Sequence, residues 1–173
     1  MEAGRLLLAV PGMLDPHFDA TVVFIFDEGA AGVILNRPTE LPLAAAVPEW
    51  EHLAADPAVV FWGGPVQEEH AVALAVPPPP RAEPVGAGVG LVDLRRGAED
   101  AGDAASVRIF AGYAGWEPGQ LETEIAQGGW FVVPAQSGDV VSPDPSGLWR
   151  NIFGRQKGWL RRYRTYPDDP GLN

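Results

Sequence analysis

Residues 112–125, Gly-Tyr-Ala-Gly-Trp-Glu-Pro-Gly-Gln-Leu-Glu-Thr-Glu-Ile, constrain the fold of this chain more than any other stretch. An apolar, β-prone run from Val107 to Ala111 feeds directly into them. Pro118 suits the first turn of a helix, and Glu117, Glu122 and Glu124 suit its positive end. Leu121 and Ile125, four residues apart, fall on one face of that helix. The stretch predicts a strand, a tight glycine turn and a helix start.

Other apolar runs extend the pattern. Leu6 to Val10 and Thr21 to Phe26 are rich in β-formers without strict alternation, which predicts strands covered on both faces. Asp27-Glu28-Gly29 reads as a tight turn into Gly32 to Leu35, and so as a hairpin. Asn36-Arg37-Pro38 ends that strand, with short helical turns expected between Leu41 and Leu53. Further strands are expected at Val59 to Trp62, Ala71 to Val76, Val89 to Leu94, Trp130 to Val133 and Asp139 to Val141. Asp144-Pro145 predicts a helix start, with Trp149, Ile152 and Phe153 on one face.

These elements predict an α/β (α+β-like) fold, a single compact domain over residues 1–173 with a mixed β-sheet and a few packed helices. Residues 77–105, opening with four prolines, are expected as a surface excursion, and residues 159–173 as a C-terminal tail.

Composition narrows the chemistry. The 173 residues contain no cysteine, which removes disulfides, thiolate nucleophiles and Cys-ligated zinc. A net charge of −11 opposes nonspecific attraction to nucleic acid or anionic membrane. Pro11 cuts the N-terminal apolar run short, so a core strand fits better than a signal peptide, and a cytoplasmic location is expected. No run approaches the ~20 apolar residues that cross a bilayer.

Four pieces resemble, in order, the bacterial YqgE/AlgH family. They are Leu8 to Phe18 with its Pro…Asp-Pro-x-Phe pattern, Gly32 to Pro38 with its Asn-Arg-Pro, Gly63-Gly64-Pro65-Val66, and the long stretch from Gly112. The resemblance implies an α/β fold on a mixed, bent sheet in a cytoplasmic protein, and no particular activity. Some members are named as transcriptional regulators of alginate synthesis, a label that fold alone does not transfer. The chain departs from many relatives at Asp27-Glu28, where they carry Glu-His. It departs again at Gln67 to His70, where they carry an Arg.

Candidate functional residues each carry two readings. Arg37 could receive a carboxylate or phosphate, or could pair with one of 23 acidic residues and pin its loop, which is preferred; Asn36 could cap the turn. Gly63 and Gly64 could form an anion nest or simply allow a sharp turn. Tyr113 and Trp116, with Gln120 and Glu124, could wall a pocket, or both aromatics could seal the core, the reading favoured for Trp116. Asp15, His17 and Asp19 are a poor metal set, so no metal and no cofactor is expected. The four serines, at 106, 137, 142 and 146, lie in no nucleophile-elbow pattern, and no catalytic residue is assigned.

Half of the basic charge lies near the C-terminus: Arg150, Arg155, Lys157, Arg161, Arg162 and Arg164, interleaved with aromatics. This is the one nucleic-acid-like feature. The preferred reading has Trp149 and Phe153 buried and the cations paired with an acidic body. The leading functional expectation is a noncatalytic binding or regulatory module acting through a protein or small-molecule partner. Its rivals are an enzyme or small-anion-binding protein with a pocket near Arg37, Gly64 and Tyr113, and a regulator contacting nucleic acid through the basic segment.

Overall fold

The computed structural model describes residues 1–12, 20–28, 31–102 and 105–166. Its spine is β9 (Ser106–Gly115), which pairs along one edge with β6 (Val66–Val76) in antiparallel register, Ala73 opposite Ile109. The other edge of β9 is shared. β5 (Val59–Trp62) runs parallel to it at Phe110 and Ala111, and β3 (Ala31–Ile34) runs antiparallel at Ala114 and Gly115. From β3 the sheet continues through β2 (Val22–Asp27) and β1 (Arg5–Ala9) to β10 (Trp130–Pro134), all antiparallel. From β6 it continues to β8 (Gly90–Val92) and β7 (Glu83–Pro84), while β4 (Pro38–Pro42) extends β5. The parallel β5–β9 pair, with a parallel bridge from Ala54 to Val107, makes a mainly antiparallel, curled sheet mixed, as expected.

Burial on both faces explains the continuous apolar runs. Leu6, Leu8, Val22 and Phe24 join one core cluster with Phe61, Phe110 and helix α4 (Leu148–Arg155), which contributes Trp149, Ile152 and Phe153. The alternate residues Leu7, Ala9, Val23 and Ile25 face the other way, against Trp130 and against Leu121 of α2 (Gln120–Ala126). A third cluster, under β5, β6 and β9, takes Leu43 from α1 (Leu43–Ala46) and Trp50 and Leu53 from a 3-10 helix, Pro48–Leu53.

Several sequence expectations need correction. The strand does not turn at Gly112 but runs on to Gly115, and α2 starts at Gln120, after a turn in which the Gln120 amide donates to the Glu117 carbonyl. β6 begins five residues early, across an irregular, exposed stretch at 67–70. Residues 137–140 form a helix, α3 (Ser137–Val140), not a strand. The Asp139 carboxylate caps its first turn by accepting from the Gln136 amide at 2.8 Å, which overrides the β-preference of the valines. α4 starts at Leu148, three residues late, yet Asp144 still reaches it, accepting from Gly147 N at 3.0 Å and Asn151 Nδ2 at 3.3 Å. The 77–105 segment is not merely superficial: Val85 and Val89 are buried in the first cluster, and Ala98, Ala101 and Ala105 in the third. Of the expected tail at 159–173, the first part belongs to a 3-10 helix, Gly158–Thr165, held by Leu160 and Tyr163, and residues 167–173 lie outside the described residues.

Candidate functional site

The three loops expected to converge do converge, but as backbone. Trp62 N donates to Arg37 O at 2.8 Å, Ile34 N to Gly63 O at 2.9 Å and Gly63 N to Ala111 O at 2.8 Å. Val66 pairs with Tyr113. A Cβ on Gly64, where φ is +148°, would overlap the Tyr113 carbonyl, and one on Gly112, where φ is +70°, would overlap the Gly64 carbonyl. A Cβ on Gly63 would strike Gly112 O. These glycines let β9 change neighbour from β5 to β3 with the Gly63–Gly64 turn seated against it. The Gly63 amide that an anion nest would need is already donated to Ala111.

The side chains around this fork are engaged in the same way. Asn36 is buried; its Oδ1 accepts from Val22 N at 3.0 Å and its Nδ2 donates to Ala20 O at 3.0 Å, clamping the entry of β2. Arg37 is half-buried and donates through Nη1 to Asn36 O at 3.3 Å. Tyr113 is half-buried against the first cluster. Trp116 is buried in the second face, edge-on to Trp130 at 6.3 Å. Its indole N–H donates to Glu124, as do the Trp130 indole and the Gln120 amide, at 3.1, 2.8 and 2.8 Å. One carboxylate thus satisfies two buried indoles, and Gln120 completes that structural knot.

The basic C-terminal residues divide. Arg155 makes a two-pronged ion pair with the buried Asp139, both contacts at 2.5 Å, tying α4 to α3. Arg150 donates to Tyr166 O at 3.1 Å. Lys157, Arg161, Arg162 and Arg164 are exposed and make no ion pair among the described residues. The expected pairing with the acidic body therefore holds for Arg155 and fails for these four.

Two features escaped the sequence reading. Arg108 of β9 is 2% exposed, its guanidinium carbon 4.1 Å above the Phe61 ring, and its Nη2 donates to Asp56 O at 2.6 Å. Its Nε and Nη1 have no partner among the described residues. Burial pushes this guanidinium down to about 10, against the pull of the Asp56 charge. A lone arginine inside an apolar run was the available signal. The second feature is a groove of about 400 Å³ whose lining includes Phe26, Val72 and Leu91 together with Arg81, Arg95 and Arg96. Those cations are paired locally, Arg81 with Asp100 and Arg95 with Asp93, and the Arg95 hydrogen bonds hold the Asp93 carboxyl below its usual range. Asp15, His17 and Asp19 lie outside the described residues. No group of His, Asp and Glu able to hold a metal occurs among the described residues, nor is any described helix long and apolar enough to cross a membrane.

Comparison with known proteins gives a consistent answer. A UPF0301 protein of Streptomyces avermitilis is 47% identical, the match covering 98% of this chain and 94% of that protein. A UPF0301 protein of Thermobifida fusca is 44% identical with the same coverage. The crystal structure of a Corynebacterium diphtheriae protein, 30% identical, superposes with a TM-score of 0.88 over 96% of this chain and 93% of its own. The solution structure of AlgH from Pseudomonas aeruginosa, 26% identical, superposes with a TM-score of 0.65 over 96% and 94%. The AlgH-like family model matches residues 6–161, and the chain belongs to that family.

Proposed function

We propose that this chain is a noncatalytic cytoplasmic binding or regulatory module that works through contacts with a partner protein. One observation carries the reading. Where Asn36-Arg37, Gly63-Gly64 and Gly112-Tyr113 meet, the Asn36 side chain and the Gly63 amide are bonded to the chain's own backbone, and the glycines are packed against it. A substrate pocket at that junction would need the space that the three glycines close.

The reading is tested by assaying purified protein against a broad panel of hydrolase and transferase substrates, beside Arg37→Ala and Tyr113→Ala. The expected result is no turnover above buffer for any of the three. Turnover by the parent chain that either substitution abolishes would establish an enzyme at this junction and overturn the proposal.

A further inference from the structure

The 3-10 helix at 158–165 sorts its residues into three rows, because three residues complete a turn. Leu160, Tyr163 and the following Tyr166 form the inward row and pack on the first core cluster. Arg161 and Arg164 form a second row, and Trp159 and Arg162 a third. Both outer rows face solvent, and Trp159 is 55% exposed. The indole is nonetheless held, edge-on to Phe131 at 5.4 Å and to Tyr163 at 6.1 Å. The aliphatic stem of Arg164 lies along Gly154.

Lys157, Arg161, Arg162 and Arg164 sit within eight residues of one another, yet none makes an ion pair among the described residues. Like charges one helical turn apart repel. Elsewhere the chain avoids this: Arg81, Arg95 and Arg96 each stand against a carboxylate. From 149 to 166 there is no acidic residue, in a chain that has 23. Among the described residues, the result is a cationic face with no carboxylate paired to it and an exposed indole beside it.

The geometry points to an extended acidic segment of a partner protein as the occupant of this face, an inference that rests on the binding-module reading. One 3-10 turn advances about 6 Å, so Arg161 and Arg164 are offset by about that distance along the axis. Alternate side chains of an extended peptide are about 6.6 Å apart and point the same way. Two carboxylates at alternate positions therefore match the two guanidinium groups, each of which can take a carboxylate in a fork. An apolar side chain beside them covers Trp159. A peptide can place two or three charges and stop, whereas a phosphate backbone continues onto a body whose net charge is strongly negative.

Fluorescence anisotropy on the full chain tests this with three probes: a short peptide of alternating Glu and Leu, a peptide of the same composition with its Glu residues adjacent, and an oligouridylate of equal charge. The alternating peptide is expected to bind at least about tenfold tighter than either of the others and to weaken as salt rises. The double substitution Arg161→Glu with Arg164→Glu is expected to cost at least about tenfold, and Trp159→Ala about threefold. The arginine side chains are exposed, so the thermal midpoint of the double variant should stay within the parent range, and Arg162→Glu gives an independent check of the same face that leaves the Trp159 packing in place. Equal affinity for the two peptides, tighter binding of the oligouridylate, or no effect of charge reversal would overturn the inference. Such a failure leaves the noncatalytic reading untouched, since that reading is judged by turnover.

Discussion

At the fork of β9, three glycines bring backbone against backbone so closely that no side chain fits between, and Asn36 is consumed in clamping the neighbouring strand. On the face of the 3-10 helix at 158–165, three arginines and a tryptophan point outward with no carboxylate against them among the described residues. The Gly-Gly-Pro and Asn-Arg-Pro motifs, for which the sequence allows a ligand loop but favours a structural turn, do the work of close packing. The charge run, whose cations the sequence suggests are paired with the acidic body, has four of them without an ion pair among the described residues. Motif-like residues at a strand end thus deserve a packing explanation before a chemical one, and a charge cluster deserves a count of its partners.

Substitutions can break this contrast, starting with the largest effect. Gly64→Ala forces a Cβ into the Tyr113 carbonyl at a positive φ and is expected to cost about 4 kcal/mol or more, read as a loss of the cooperative urea transition. A cost below about 1 kcal/mol would mean the fork has room after all. Asp139→Asn leaves Arg155 without its counter-charge and uncouples α3 from α4, with an expected loss of about 3 kcal/mol in urea unfolding. Asn36→Ala strands the Val22 amide and the Ala20 carbonyl and should cost about 2 kcal/mol by the same measurement.

Arg108→Met sharpens the comparison from the other side. It removes a buried cation with two unpartnered N–H groups and replaces it with an apolar chain of similar length. The expected change is between zero and about 2 kcal/mol of added stability, seen as an unchanged or raised thermal midpoint. A large loss would show that the guanidinium's stacking on Phe61 and its bond to Asp56 outweigh its desolvation.

The strands buried on both faces were legible because Leu6 to Ala9 and Val22 to Ile25 have no polar alternation, and both faces are in fact covered. β4 was not, since it is short, bounded by Pro38 and Pro42, and its one large apolar residue, Leu41, is 48% exposed. The helix at 137–140 was hidden because Val140 and Val141 favour strands, and only the pairing of Gln136 with Asp139 reverses that. Gly112 looks like a turn because a glycine at the end of an apolar run usually is one; its real constraint, the Gly64 carbonyl, is 48 residues away in sequence. At the candidate site, the meeting of three loops was legible, but its character depends on long-range backbone contacts that no local pattern encodes. The C-terminal helix had a readable signal in the three-residue spacing of Leu160, Tyr163 and Tyr166.

The most direct test of this division of labour compares dissociation constants for the alternating acidic peptide in two single variants, Arg37→Ala at the fork and Arg161→Ala on the outer face. We expect Arg37→Ala to bind as the parent chain does and Arg161→Ala to bind several-fold more weakly. Weakened binding in Arg37→Ala, with parent-like affinity in Arg161→Ala, would place recognition at the fork and contradict the account.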